Sequence, residues 1–431
     1  MTLRRVKILS RRGERELARL VGRGRSVVDR KTLRQARRIV NTVKRRGDRA
    51  LLEYVSEFDG VEVDSAVELR RRLTPHSELS QQLAPELREA LEKAIGAVDD
   101  FHAPQVHAGY ELERDGVWLE ERRSPLRRVG IYVPGGRFPY PSTVIMTVVP
   151  ARLAGVEEIV VATPPRAYSD SPALRWILAR LGVQEVWGMG GAHAVGALAY
   201  GTETVRRVDK IVGPGNAWVN AAKRVVAGDV AIDGVPGPTE VVVLADATAD
   251  PDTVAADMLA QAEHDVLAAA ILVTDDAALA RSVAEAIDEQ LAALPNPDVA
   301  RQAIGRYGLA LLTDDLEEGL QVAERIAPEH LQLMGSGAEA LVPRVRAAGA
   351  IVVGQATTAV FGDYVAGPSH VLPTCGSARF ASALGVEDFV RRSHAIRFTV
   401  EAAREWGEVA AVLADAEGLA AHAASARRRT R

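Results

Sequence analysis

A single cysteine, Cys375, leaves this chain no internal disulfide, and a reducing cytoplasm is the compartment that suits it. Aromatic residues are scarce, and none falls between Met1 and Arg46, where 17 Lys and Arg face 3 Asp and Glu. A basic stretch without rings to stack on bases is a poor nucleic-acid arm. Its Leu and Val positions follow a helical rhythm, so residues 1–25 read as a basic helical arm, solvated or facing another subunit. No early run is long and apolar enough for a signal peptide or a membrane helix, which predicts a soluble protein. Strong internal repeats and low-complexity tracts are also missing. What remains is a chain of 431 residues, 47% hydrophobic, long enough for two or more domains with their own cores.

The first hundred or so residues read as helices, 31–46 and 80–101. Past Arg128 short β-rich runs alternate with amphipathic segments: 129–133, 158–163, 185–187 and 210–212. A second series follows at 240–244, 270–274, 309–312 and 350–353. Alternation of this kind predicts right-handed βαβ crossovers and two parallel sheets. From about Val386 the pattern returns to helix, rich in alanine and poor in large apolar residues. Such a helix is expected to dock on something, another subunit being the natural choice.

Three turns in the first series join strand to helix through glycine or proline: Tyr132-Val-Pro-Gly-Gly-Arg137, Gly188-Met-Gly-Gly-Ala-His193 and Gly213-Pro-Gly-Asn216. Such turns let backbone amides approach a phosphate, and on one edge of one sheet they suggest a nucleotide. Glycines at tight turns also occur in folds that bind nothing.

In the second series, Gln261 and His264 stand three apart near the end of a helix capped by Asp250 and opened by Pro251. Side chains so spaced share a face and can converge on one metal ion. The pair also reads as a solvated helix end, where the dipole favours histidine. Glu263 between them is no metalloprotease signature, because the second histidine is missing. Glu329 and His330 are neighbours that can serve as separate acid and base, or stand in an exposed turn. Asp363 and His370 lie on a segment punctuated by Gly and Pro, and Glu417 and His422 in the C-terminal helix. Gln, His and Asp offer mixed nitrogen and oxygen donors, which suit zinc better than calcium. Metal plus nucleotide points to dehydrogenation, with no substrate named.

Taken together, Tyr132-Val-Pro-Gly-Gly, Gly213-Pro-Gly-Asn216, Gln261-Ala-Glu-His264, Pro328-Glu-His-Leu331, Gly362-Asp-Tyr364, Ser369-His-Val-Leu-Pro-Thr374 and Ala416-Glu-Gly-Leu-Ala-Ala-His422 resemble the histidinol dehydrogenase family. The resemblance implies an intertwined homodimer of two Rossmann-like parallel-sheet domains with helical N-terminal and C-terminal extensions. A larger domain from 26–128 and 240–382 would carry the metal and catalytic residues. Residues 129–239 would form the second domain, with cofactor contacts, and 383–431 a helical segment docking on the partner. It also implies one Zn2+ per subunit held by Gln261, His264, Asp363 and His422, the last from the partner, and oxidation of L-histidinol through the aldehyde to histidine by two NAD. The same likeness casts His330 as the general base and Glu329 as the residue activating water. Thr239, His370 and Glu417, with the metal ligands and His330, match substrate contacts; Tyr132, His193 and Asn216 match NAD contacts. Two positions depart from the family pattern: His193 stands where Gln is usual, and Thr239 where Ser is usual. Both keep hydrogen-bonding capacity. They leave open a divergent member acting on another amino alcohol or polyol. Cys375 as the nucleophile of a thiohemiacetal route is a further reading.

Overall fold

The computed structural model describes residues 3–23, 28–135 and 140–430. Among them no helix is long and apolar enough to cross a membrane. The chain is α/β, built on two parallel sheets and one small antiparallel one.

The five-stranded sheet uses β4 (Arg128–Tyr132), β5 (Glu158–Thr163), β6 (Glu185–Gly188), β7 (Lys210–Val212) and β8 (Ala231–Ile232), in the order β6-β5-β4-β7-β8 and all parallel. The six-stranded sheet uses β1 (Arg4–Lys7), β9 (Glu240–Ala245), β10 (Ala269–Thr274), β11 (Leu309–Leu312), β12 (His330–Met334) and β13 (Ala350–Val353), in the order β1-β11-β10-β9-β12-β13, again all parallel. In the five-stranded sheet the chain starts at the middle strand β4, winds outward through β5 and β6, then returns to β7 and β8; in the six-stranded sheet β9 to β13 do the same, and β1 is added at the edge beside β11. That is the doubly wound pattern expected of strands buried on both faces. β9 shows why such strands form: Glu-Val-Val-Val-Leu-Ala is buried at every position, a run of β-branched residues with no polar face to turn outward.

Two domain assignments differ from expectation. Residues 1–25 do not form a purely helical arm: Arg4–Lys7 pairs in register with β11, and Leu17 and Leu20 of the helix Arg11–Val21 are buried with Leu320 and Ala323. Nor do the helices before residue 103 clothe the larger sheet. Ala36, Val40 and Val43 of the helix Arg30–Tyr54 share a core with Val160, Val195 and Val219, while Leu91 and Val98 of the helix Pro85–His102 pack with Val129, Ile131 and Ile145. Both belong to the five-stranded sheet. An apolar stripe shows that a helix is buried, not which sheet buries it.

The third sheet joins β2 (Gly109–Arg114), β3 (Val117–Pro125) and β14 (Val390–Phe398) in the antiparallel order β14-β3-β2. Its last strand corrects the expectation that the chain turns helical from Val386. Helices Val400–Ala416 and Ala420–Arg427 follow and pack on each other through Ala411, Ala414 and Ala423. Their outward residues Val409, Val412 and Leu413, like Tyr110, Leu112 and Ile396 of the sheet, are exposed.

Candidate active site

A cavity of about 860 Å³ separates the two parallel sheets. The five-stranded sheet meets it with the carboxyl ends of its strands: Tyr132 and Pro134 after β4, Pro164 after β5, Gly190 to His193 after β6, and Pro214 to Asn216 after β7. This is where open α/β sheets place ligands. The six-stranded sheet contributes from its opposite edge. Thr239 immediately precedes β9 and Glu329 immediately precedes β12, and those strands are hydrogen-bonded neighbours.

At that edge Glu329 is buried. Its Oε2 accepts from the Thr239 hydroxyl and, at 3.2 Å, from the Glu240 N–H, which leaves Oε1 free of described donors. Burial is the main force that lifts its carboxyl to about 7, and Thr239 works against the rise. His330, also buried, has its pKa pushed down by burial, so it stays neutral in a range where an ordinary histidine begins to charge. Its Nε2 lies 4.0 Å from Glu329 Oε1, too far for a hydrogen bond, and its Nδ1 has no partner among the described residues. The pair therefore holds two separate proton acceptors.

His264 and Asp363 line the same cavity. Asp363 sits on a short helix, Ala359–Tyr364, rather than on an irregular loop, and its backbone carbonyl lies 3.0 Å from His370 Nδ1. Burial raises the Asp363 carboxyl, partly offset by His330 and His264, and its carboxylate receives no hydrogen bond from a described residue. Gln261 ends the helix Pro251–Ala262, capped by Asp250 as expected, and its amide nitrogen donates to Thr239. Its amide oxygen likewise accepts from no described residue. His370 is buried enough to lower its pKa to about 4, and its Nε2 lies 3.5 Å from the Thr143 hydroxyl.

Glu417 and His422 are not brought to this cavity within one protomer; both are exposed on the C-terminal hairpin. Accordingly, no group of three or more His, Cys, Asp and Glu among the described residues is placed to hold a metal ion.

The glycine turns work differently from the phosphate cradle that the sequence suggests. Gly190 N–H donates to Asp59 Oδ2 at 3.0 Å, and Gly191 N–H to the Tyr132 hydroxyl at 3.1 Å. Gly213 N–H donates to Asp233 Oδ2 at 2.7 Å, and Asn216 Oδ1 accepts from Trp218 and Val219. These amides are already satisfied by side chains. At Gly213, with φ of +108°, a Cβ would stand 2.2 Å from the Tyr132 carbonyl, so the turn closes onto β4 only with glycine. Gly136 and Arg137 of the first turn lie outside the described residues.

His193 is buried, with Nε2 at 3.0 Å from Asp59 Oδ2 and Nδ1 unpartnered. Asp59 is a cavity residue that the sequence reading missed. It ends a π-helical turn, Val55–Asp59, and the only local signal is the following Gly60, which takes a left-handed conformation. Glu240 shows in the sequence only as the start of a strand. It is buried, its carboxyl lifted to about 7 mainly by burial, and it accepts the Cys375 N–H at 2.8 Å. Cys375 itself donates its thiol to the Pro238 carbonyl at 3.4 Å, and burial together with Glu240 pushes its pKa well above the thiol range. It is no thiolate nucleophile.

Paired doubly wound sheets, with two separate proton acceptors at the cleft between them, define an α/β enzyme equipped for acid–base chemistry. The sequence pattern of the family described as histidinol dehydrogenase matches residues 23–430. A histidinol dehydrogenase of Synechococcus sp. is 46% identical over 395 residues, covering 91% of each chain, and one of Aquifex aeolicus is 43% identical over 97% of this chain and 94% of its own. The crystal structure of histidinol dehydrogenase from Elizabethkingia anophelis superposes with a TM-score of 0.90 at 31% identity, covering 99% of this chain and 98% of that one. The chain belongs to the histidinol dehydrogenase family.

Proposed function

We propose that this protein is a zinc-dependent histidinol dehydrogenase that oxidises L-histidinol through L-histidinaldehyde to L-histidine with two NAD, in histidine biosynthesis in the cytoplasm. Family membership supports the substrate, and the meeting of Glu329, His330, His264 and Asp363 in one cavity carries the reading.

The donor set fits a zinc ion: a half-buried carboxylate and an amide oxygen without described donors, beside an exposed imidazole, are what a hard-to-borderline cation takes up. Gln261, His264 and Asp363 would hold it, with His422 of a second subunit as fourth ligand. NAD fits the other half of the cavity, where His193 Nδ1 is an orphaned buried acceptor or donor and Tyr132 and Asn216 line the wall. Zinc, when bound, supplies a clamp for the imidazole and amino groups of the substrate; NAD supplies the hydride acceptor for both oxidations.

The chain's own groups move the protons. His330, kept neutral by burial, accepts the alcohol proton as hydride leaves carbon. Glu329 acts in the second step through Oε1, because Oε2 is engaged by Thr239 and Glu240; it takes a proton from the water that attacks the aldehyde. His370 and Glu417 would position the substrate, Glu417 from the partner's hairpin.

A homodimer completes this site. The exposed surface of one chain, 21196 Å², is about a third more than the roughly 16,000 Å² expected of a compact monomer of 46.2 kDa. The excess includes the exposed apolar residues of the small sheet and hairpin, the surface an exchanged arm would cover.

Purified protein supplied with zinc, NAD and L-histidinol should yield two NADH per histidine, and removal of the metal by a chelator should abolish turnover. Full activity on another amino alcohol or polyol with none on histidinol would move the assignment to a divergent member, the reading that His193 and Thr239 leave open.

A further inference from the structure

Beneath the cavity lies a second polar layer that no step above uses. Gln332 follows His330 by two residues on β12 and so shares its face. Asp257 precedes Gln261 by one helical turn and shares its face on the helix Pro251–Ala262. The fully buried Gln332 amide nitrogen spends both its protons: one goes to Asp257 Oδ2, the other to the Thr357 carbonyl at 2.9 Å. The Thr358 side chain beside Asp257 works against the burial that raises the Asp257 carboxyl, and the Thr358 hydroxyl caps the helix Ala359–Tyr364 at the Val360 N–H. Gln332 Oε1 stays buried and unpaired, a cost that an apolar residue would avoid.

The helix so held is six residues long, buries none of its residues in this protomer and carries Asp363. One and a half turns without packing do not stand alone. Its ends are what fix it: the Thr357–Thr358 corner at one, and His370 facing the Asp363 carbonyl at the other.

We propose that Gln332 and Asp257 are positioning residues: they lock the Asp363 helix to the elements bearing Gln261 and His330, so that the metal ligands keep one spacing. The inference rests on the reading of Asp363 as a zinc ligand. Partners that orient metal ligands are worth 10- to 100-fold in metal affinity or activity.

The test is zinc affinity, read by competition with a chromogenic chelator on the full-length protein, beside steady-state kinetics. Gln332→Met keeps the volume and removes both donors; zinc affinity should fall about 10- to 100-fold and KM for histidinol should rise more than kcat falls. Asp257→Asn, which retains an acceptor for Gln332, should stay within about threefold of wild type on the same scale. Should Gln332→Met fail to fold, Thr358→Val removes only the hydroxyl and should weaken zinc in the same direction by a smaller factor. Unchanged zinc affinity in Gln332→Met or Thr358→Val, even with a lowered melting temperature, overturns the inference and leaves the proposed function standing. A wild-type protein that binds no zinc overturns both.

Discussion

Thr239 shows how much chemistry one hydroxyl can hold together. It donates to Glu329 Oε2 and accepts from Gln261, so it links the group proposed to activate water to a proposed metal ligand. As the proposed base Glu329 must be ionised, and burial lifts its carboxyl to about 7; the second oxidation should therefore be lost as pH falls through that value and be full above it. Thr239 is the strongest influence holding that pKa down. Thr239→Val should move the acid limb to higher pH, whereas Thr239→Ser should leave it in place, as read from pH profiles with histidinaldehyde as substrate. Glu329→Gln should slow the aldehyde step by about 10²- to 10⁴-fold while the first NADH still forms. His330→Asn should do the reverse, slowing the first hydride transfer by a similar factor of about 10²–10⁴ with zinc still bound. Loss of zinc in that variant would mean that His330 has been given the wrong role.

Residues of this kind were legible where chemistry and position both stand out in sequence. Glu329, His330 and Asp363 are polar residues beside strands or glycine punctuation, and all line the cavity. Asp59 and Gln332 were not. Asp59 reaches the site only because a π-helical turn redirects it, and Gln332 looks like one more strand residue until the helix Pro251–Ala262 is laid across it.

The same division holds for elements. Strands buried on both faces announced themselves: 158–163, 210–212 and 309–312 have the same bounds in the sequence as in the structure, and so does the apolar edge strand 350–353, although Ile351 and Val353 are exposed. Gly109–Arg114, Val117–Pro125 and Val390–Phe398 did not: their alternation is short, as in Tyr110-Glu-Leu-Glu113, or broken by charge runs such as Glu120-Glu-Arg-Arg123 and Arg391-Arg392, and they are largely unburied in this chain. Arg4–Lys7 was hidden for another reason. It lies at the edge of a sheet whose other strands are more than two hundred residues away, and short polar edge strands carry little pattern. The helix after it anchors the segment through Leu17, which is fully buried. Leu17→Ala should cost about 2–5 kcal/mol, seen as a lower midpoint in denaturant unfolding, with KM for histidinol unchanged. A changed KM at unchanged stability would show that the N-terminal segment reaches the site after all.

On the scale of the whole molecule, the decisive fact is what one protomer lacks. Its cavity is lined by two of the four proposed ligands, His264 and Asp363, and by Thr239, to which Gln261 is hydrogen-bonded, while His422 and Glu417 stand exposed on a hairpin whose outer face is apolar and uncovered. If two subunits exchange these hairpins, each site draws on both chains, and defects on different chains can be separated. Neither His422→Ala nor His330→Asn should turn over histidinol as a pure homodimer. In a mixed dimer, however, the His422→Ala chain supplies an intact His330 to one site and the His330→Asn chain supplies an intact His422 to that same site. The second site collects both defects. Random exchange makes half the dimers mixed with one working site each, so activity should recover to about a quarter of wild type. Were His422 to serve its own chain, every site in every dimer would carry one defect, and mixing after subunit exchange would restore nothing.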